Sequence, residues 1–173
     1  MESEPKDLIV LGAIKHGVNK FEKIQKMTQI EPKELNLILE QLEKRGLIHA
    51  KEKKGWFGTK IEITTTDKGN KEVDERVHEL QTKWNQMSLL YKTGDKDKLK
   101  EEMENNRSFI PTMMFFGIMD MMMFSMMFSM MGMAMSDYVA PENMPDTADG
   151  GMDDGGMDDG GMDDGGFDFD IGF

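Results

Sequence analysis

The chain has 173 residues, room for one compact domain with appendages, and carries a net charge of −12 with no cysteine. The absent thiols exclude disulfides, thiolate metal ligands and cysteine nucleophiles, and they fit a reducing, cytoplasmic setting. The charge is unevenly spread: residues 1–107 hold all 21 basic residues against 20 acidic ones, a net +1, while the other 66 hold 13 acids and no base.

Acidity is therefore a property of the C-terminal part and says little about the rest. Residues Met1 to Asp7 show neither a basic n-region nor an apolar h-region, so no secretory signal is expected. No enzyme constellation is visible. There is no G-x-S-x-G and no Walker loop, and His16, His49 and His78 are scattered without ligand spacing. The sequence thus calls for no cofactor and no metal.

In chain order, Leu8, Leu11 and Ile14 suit one face of a short first helix that stops near His16-Gly17. Asn19 is placed to cap a second short helix with Phe21, Ile24 and Met27 on one side. Pro32 opens a third helix that runs to Arg45 and stops at Gly46, with Leu35, Ile38, Leu39 and Leu42 as its buried stripe. Residues 47–50 read as a strand, Lys51 to Lys60 as a turn region with Gly55 and Gly58, and Lys60 to Thr64 as an alternating strand. A long helix is expected from about Lys68 to Tyr91. Asp95 then caps a short charged helix reaching about Asn105.

Three short helices, a β-hairpin and a long helix resemble the winged helix-turn-helix superfamily over roughly residues 6–92, in a Lys/Glu-rich, Cys-free style similar to archaeal regulators. Leu35 to Gly46 followed by Leu47-Ile48 resembles the family's LxxLxxxGLI join between recognition helix and wing. Thr64-Thr65-Thr66-Asp67-Lys68-Gly69 resembles its LTxxG exit, with Thr where Leu is usual. The resemblance implies a mainly α fold with a small β-hairpin, and double-stranded DNA as partner. Winged helices also serve as protein-binding modules.

If the third helix reads the major groove, a 100° step per residue turns Lys33, Leu37, Glu40 and Lys44 away from its buried stripe, with Asn36 and Gln41 flanking them. Asn or Gln could pair with adenine, Leu37 could meet a thymine methyl, and the lysines could reach phosphate or guanine. Glu40 opposes phosphate. The wing adds Lys51, Lys53, Lys54 and Lys60 against Glu52, with Trp56 and Phe57 between the glycines. Phosphate contacts of that kind make binding salt-dependent.

In the long helix, Val73, Val77, Leu80, Trp84, Met87 and Tyr91 fall at spacings of 4, 3, 4, 3 and 4. A dimerising helix shows such a seam, and so does one that packs back on its own domain. A homodimer would present two recognition helices to a two-fold-related site.

From Phe109 to Ser136 there is a single charge, Asp120, and twelve of the 28 residues are methionine. Thr112 to Met135 is long enough to span a bilayer, but a central Asp costs about +2.5 to +3.5 kcal/mol against about −1.5 to −3 kcal/mol from the Phe and Ile residues. Ser125, Ser129, Gly132 and Ser136 form a small-residue stripe suited to close helix approach. A buried oligomeric helix, a marginal membrane span and an adaptable apolar surface for other proteins, through Met113 to Met135, all remain open. Beyond it, Gly-Gly-Met-Asp-Asp units begin at Gly150, Gly155 and Gly160. The tail closes on Phe167, Phe169, Ile171 and Phe173, a candidate linear motif for a basic, apolar groove.

The expected organisation is a winged domain over residues 1–67, a helical region over 68–107, a Met-rich helical segment over 108–137 and an acidic tail over 138–173. The function expected is a dimeric DNA-binding regulator with an oligomerising or membrane-tethering extension. The alternative is an adaptor or chaperone-like factor that holds other polypeptides by its Met segment and acidic tail.

Overall fold

The computed structural model describes residues 5–140. The proposed Phe167, Phe169, Ile171 and Phe173 motif and the Gly-Met-Asp repeats lie outside the described residues. The elements run α1 (Lys6–Lys15), α2 (Phe21–Thr28), α3 (Pro32–Lys44), β1 (Ile48–Gly55), β2 (Gly58–Thr65), α4 (Asp67–Thr93), α5 (Lys96–Asn105), α6 (Ile110–Phe115) and α7 (Met121–Met131). Single 3₁₀ turns lie at Arg107–Phe109 and Met135–Asp137. The expected order of three helices, hairpin and long helix is present.

α1 is the hub. Leu8, Val10, Leu11, Gly12, Ala13 and Ile14 are all buried, so it is apolar nearly all round rather than on the single face formed by Leu8, Leu11 and Ile14. α2, α3, α4 and β2 pack around it, and so does α6 from the Met-rich segment. Gly12 marks that last contact. A Cβ built there would lie 2.4 Å from Cζ of Phe116, so the ring sits in the space a side chain would fill.

The two joints of the winged unit follow from a few bonds. Thr66 caps α4 by accepting from the Gly69 backbone N–H at 3.0 Å, and its hydroxyl donates to the Gly46 carbonyl at 2.7 Å. Gly69 lies against the chain at Leu47, where a Cβ would come within 2.0 Å of the carbonyl oxygen, so only glycine lets α4 start so close to β1. Lys68 donates from Nζ to the Arg45 carbonyl at 2.8 Å, satisfying an orphan acceptor at the end of α3. This is the physical content of the Thr-Thr-Asp-Lys-Gly exit.

Two local expectations are corrected. Asn19 does not cap α2: Lys20 stands at the N-cap with no side-chain cap bond, and Asn19 donates from Nδ2 to Glu62 Oε1 at 3.0 Å. Lys51 to Lys60 is not a broad turn either. The strands run through it in register from Ile48 opposite Thr65 to Gly55 opposite Gly58, leaving only Trp56 and Phe57 as the connection. The ladder satisfies backbone groups that a long loop would leave to water, and it outweighs the weak strand propensity of the lysines.

The Met-rich segment is not one helix. α6 ends at Gly117, which takes φ 63°, and the chain restarts at Asp120, whose Oδ1 accepts from the N–H groups of Met122 and Met123 at 3.0 and 3.1 Å. Among the described residues no helix is long and apolar enough to cross a membrane. The candidate span from Thr112 to Met135 is instead broken into helices of six and eleven residues. Ile110, Met113, Phe116, Met119, Phe124, Met127 and Phe128 join the same buried cluster as α1 and α4. The small stripe of Ser125, Ser129, Gly132 and Ser136 points to solvent.

Candidate nucleic-acid interface

α3 presents the face that its periodicity implies. Lys33, Asn36, Leu37, Glu40, Gln41 and Lys44 are exposed, Leu37 to 58%, while Leu35, Leu39 and Leu42 are buried. Pro32 starts the helix, and Gly46 with Leu47 closes it by bonds to the carbonyls of Glu43 and Leu42 at 2.9 Å. The turn between α2 and α3 puts Gln29 in the left-handed region at φ 58°, the one non-glycine there among the described residues. Asn36 donates from Nδ2 to Glu40 Oε1 at 3.3 Å, so Asn36 and Glu40 hold each other on this face. Lys33 and Lys44 form no ion pair among the described residues.

The wing is less uniformly basic than its composition. Lys51, Lys53, Lys54 and Lys60 are all exposed. The register puts Lys53 directly opposite Lys60 and Lys51 opposite Glu62 on one face of the ribbon. The two facing lysines would repel each other. Lys53 pairs instead with Glu62, and its hydrogen bond holds that carboxyl below the usual range against the opposing effect of desolvation. Lys54 lies on the other face, where it alternates with Glu52. Lys54 and Lys60 have neither an ion pair among the described residues nor a carboxylate directly across the ribbon. Glu62 was not singled out in the sequence, although its two-residue spacing from Lys60 puts both on one strand face.

The six seam residues have a different use. Val73, Val77, Leu80, Trp84 and Met87 are buried inside the chain, and Tyr91 is half-buried. Trp84 meets Phe124 of α7 edge-on at 6.4 Å between ring centroids, and Tyr91 donates from its hydroxyl to Met126 Sδ at 3.5 Å. The rings continue from Phe124 to Phe128 at 4.9 Å and on to Tyr138 at 5.2 Å. Trp84 and Tyr91 of the heptad stripe thus meet the chain's own Met-rich segment, while α4 also packs on α1 and α5.

One ion cluster fixes α3 against its neighbours. Asp7 accepts from Arg76 at 2.9 Å and from Arg45 at 3.3 Å, and Arg45 also reaches Glu72 at 2.9 Å. Burial pushes the Asp7 carboxyl up, but the two guanidiniums and the Leu8 N–H together hold it below its ordinary value. α1, the end of α3 and α4 are tied at one point, which sets the angle at which α3 leaves the surface.

No curated protein and no solved structure matches this chain. A family model described as HxlR-like helix-turn-helix matches residues 5–92, which span α1 through nearly all of α4 and so take in the whole helix-turn-helix and wing. With that match covering just over half of its length, the chain belongs to the HxlR-like helix-turn-helix family.

Proposed function

We propose that the chain is a transcriptional regulator that binds double-stranded DNA, with α3 in the major groove and the wing on the phosphate backbone. The observation that carries this reading is the exposed, largely polar outward face of α3 inside a domain of a helix-turn-helix family. Asn36 and Gln41 would read base edges, Leu37 would meet a thymine methyl, and Lys33 and Lys44 would flank them. Lys51, Lys53, Lys54 and Lys60 would position the domain on phosphate, and the weight falls on Lys54 and Lys60, which have neither an ion pair among the described residues nor a carboxylate across the ribbon.

The test is an equilibrium binding series in salt. Changing Lys54 and Lys60 to Ala should weaken binding to all sequences alike and flatten the salt slope by up to about 2 units if both touch phosphate. Changing Asn36 and Gln41 to Ala should cost sequence preference and leave that slope alone. A wild-type chain with no salt-dependent affinity for any duplex would overturn the reading. A homodimer would fit a two-fold site; in this conformation Trp84 and Tyr91 of the Val73–Tyr91 stripe contact Phe124 and Met126 of the same chain.

A further inference from the structure

The tip of the wing carries two large aromatics where a two-residue hairpin loop ordinarily takes Asn-Gly or Gly-rich pairs. Trp56 is 95% exposed and Phe57 94%. Neither side chain is buried by the hairpin, and each leaves a large apolar area in water. Beside them lies a pocket of about 300 Å³, lined by Trp56, Phe57, Ile61, Lys20, Lys53 and Lys60 among others. Lys20 and Lys60 have no carboxylate partner among the described residues, and Glu62 in the wall is neutralised by Lys53. The pocket therefore asks for an occupant that is aromatic and anionic together. A phosphate backbone offers only the charge.

The chain itself contains such a sequence. Phe167, Phe169, Ile171 and Phe173 alternate with Asp168 and Asp170, in a part of the chain with no basic residue. We infer that the wing-tip pocket is the docking site of the chain's own segment from Phe167 to Phe173, with its aromatic side chains against Trp56, Phe57 and Ile61 and its carboxylates against Lys20 and Lys60. Reach is not limiting. The 27 residues from Ala140, the last described position, to Phe167 can span up to about 90 Å, several times the radius of gyration of about 14 Å for a domain of this size.

Docking there covers Lys53 and Lys60, so the segment competes with DNA for the wing. This competition rests on the DNA-binding reading above; the docking does not. A tethered segment is present at an effective concentration in the millimolar range. Against a site of about 0.1–1 mM affinity, removing it raises DNA affinity about two- to tenfold. Screening over about 8–10 Å makes that gain shrink as salt rises.

The docking is tested on the full chain without DNA. Trp84 is buried, so acrylamide quenching of tryptophan emission reports Trp56. At low salt, replacing Phe167, Phe169, Ile171 and Phe173 together by Ser should raise the quenching constant, as should adding salt to the parent chain. The same replacement in a Trp56→Phe background should change nothing. Quenching that is identical with and without the four apolar residues would overturn the docking. Protection that is lost on dilution would assign the occupant to a second copy and overturn the within-chain arrangement. DNA affinity is then compared between the full chain and one ending at Ala148. A ratio near one at low salt, with both binding DNA, would overturn the competition. Failure of both to bind DNA would sink the functional reading and leave the quenching result standing.

Discussion

Asp120 shows how much one side chain can decide. In a run holding twelve methionines it is the one charge, and its carboxylate satisfies two N–H groups that the first turn of α7 would otherwise leave open. Asp120→Ala should cost about 1 kcal/mol of stability, and Asp120→Asn, which keeps an acceptor, should cost little. Equal losses for the two variants in thermal unfolding would mean that the cap is not what matters there. The signal was legible as a helix stop at Gly117 followed by a start at Asp120. A long apolar run invites reading as one helix, in which the same two residues count only as blemishes. Asp7 is a second case, and no local pattern announces it, because its partners Arg45 and Arg76 are 38 and 69 positions away. Its carboxyl titrates lower in the folded chain than in the unfolded one. The stability it confers is present above the unfolded value of about 3.9 and is lost as pH falls through the lower folded value. The difference in melting temperature between the parent chain and Asp7→Asn should accordingly be steady at neutral pH and shrink as pH falls below the unfolded value. A difference that stayed unchanged over the whole acid range in which the chain remains folded would rule out this charge as its source.

At the scale of elements, the winged unit was readable because its signals are local. Gly46 ends α3, Thr66 and Gly69 begin α4, and the α3 stripe of Leu35, Leu39 and Leu42 has one period. The wing was under-read because lysine-rich strands look like turns when the cross-strand ladder is out of view. The α4 stripe gave the right face and left the partner open, since a seam filled by another subunit and one filled by the same chain share a periodicity. The Trp84–Phe124 contact identifies one partner as the chain's own segment, and Gly12 of α1 marks a second contact with it, a glycine inside a helix where Ala would ordinarily be about 1 kcal/mol better. It is tolerated because Phe116 occupies its side-chain space, itself packed edge-on against Phe115 at 5.3 Å. Gly12→Ala should therefore be destabilising by about 1–3 kcal/mol through overpacking, enough to outweigh the gain in helix propensity. In a Phe116→Ala background the same change should reverse sign and stabilise by about 1 kcal/mol. Denaturant unfolding of the four chains of this cycle measures it, and additive effects would remove the contact from the account.

For the molecule as a whole, the family's helix-turn-helix and wing end near the C-terminus of α4, yet the buried core does not. The cluster that includes Leu8, Leu35 and Ile48 continues through Trp84 and Met87 into Phe124, Met127, Phe128 and Val139. Unbranched methionines suit this role, since they fill the irregular space between α1, α4 and α5 without demanding one shape. A chain ending at Gly94 would keep α3 and the wing and lose the cover over Gly12 and Trp84. Trp84 and Tyr91 of the stripe would then lose their partners in α7 and face water, adding to an exposed apolar patch of the kind soluble domains rarely tolerate beyond a few hundred Å². That shortened chain should bind an apolar dye, shift Trp84 emission to the red when Trp56 is replaced by Phe, and associate with a concentration dependence that light scattering detects. The heptad spacing would find a second copy only once its own segment is gone. The full chain should show neither the dye binding nor the red shift. A shortened chain that stays monomeric and dye-silent, with Trp84 emission unchanged, would mean that the Met-rich segment rests on the domain without completing its core.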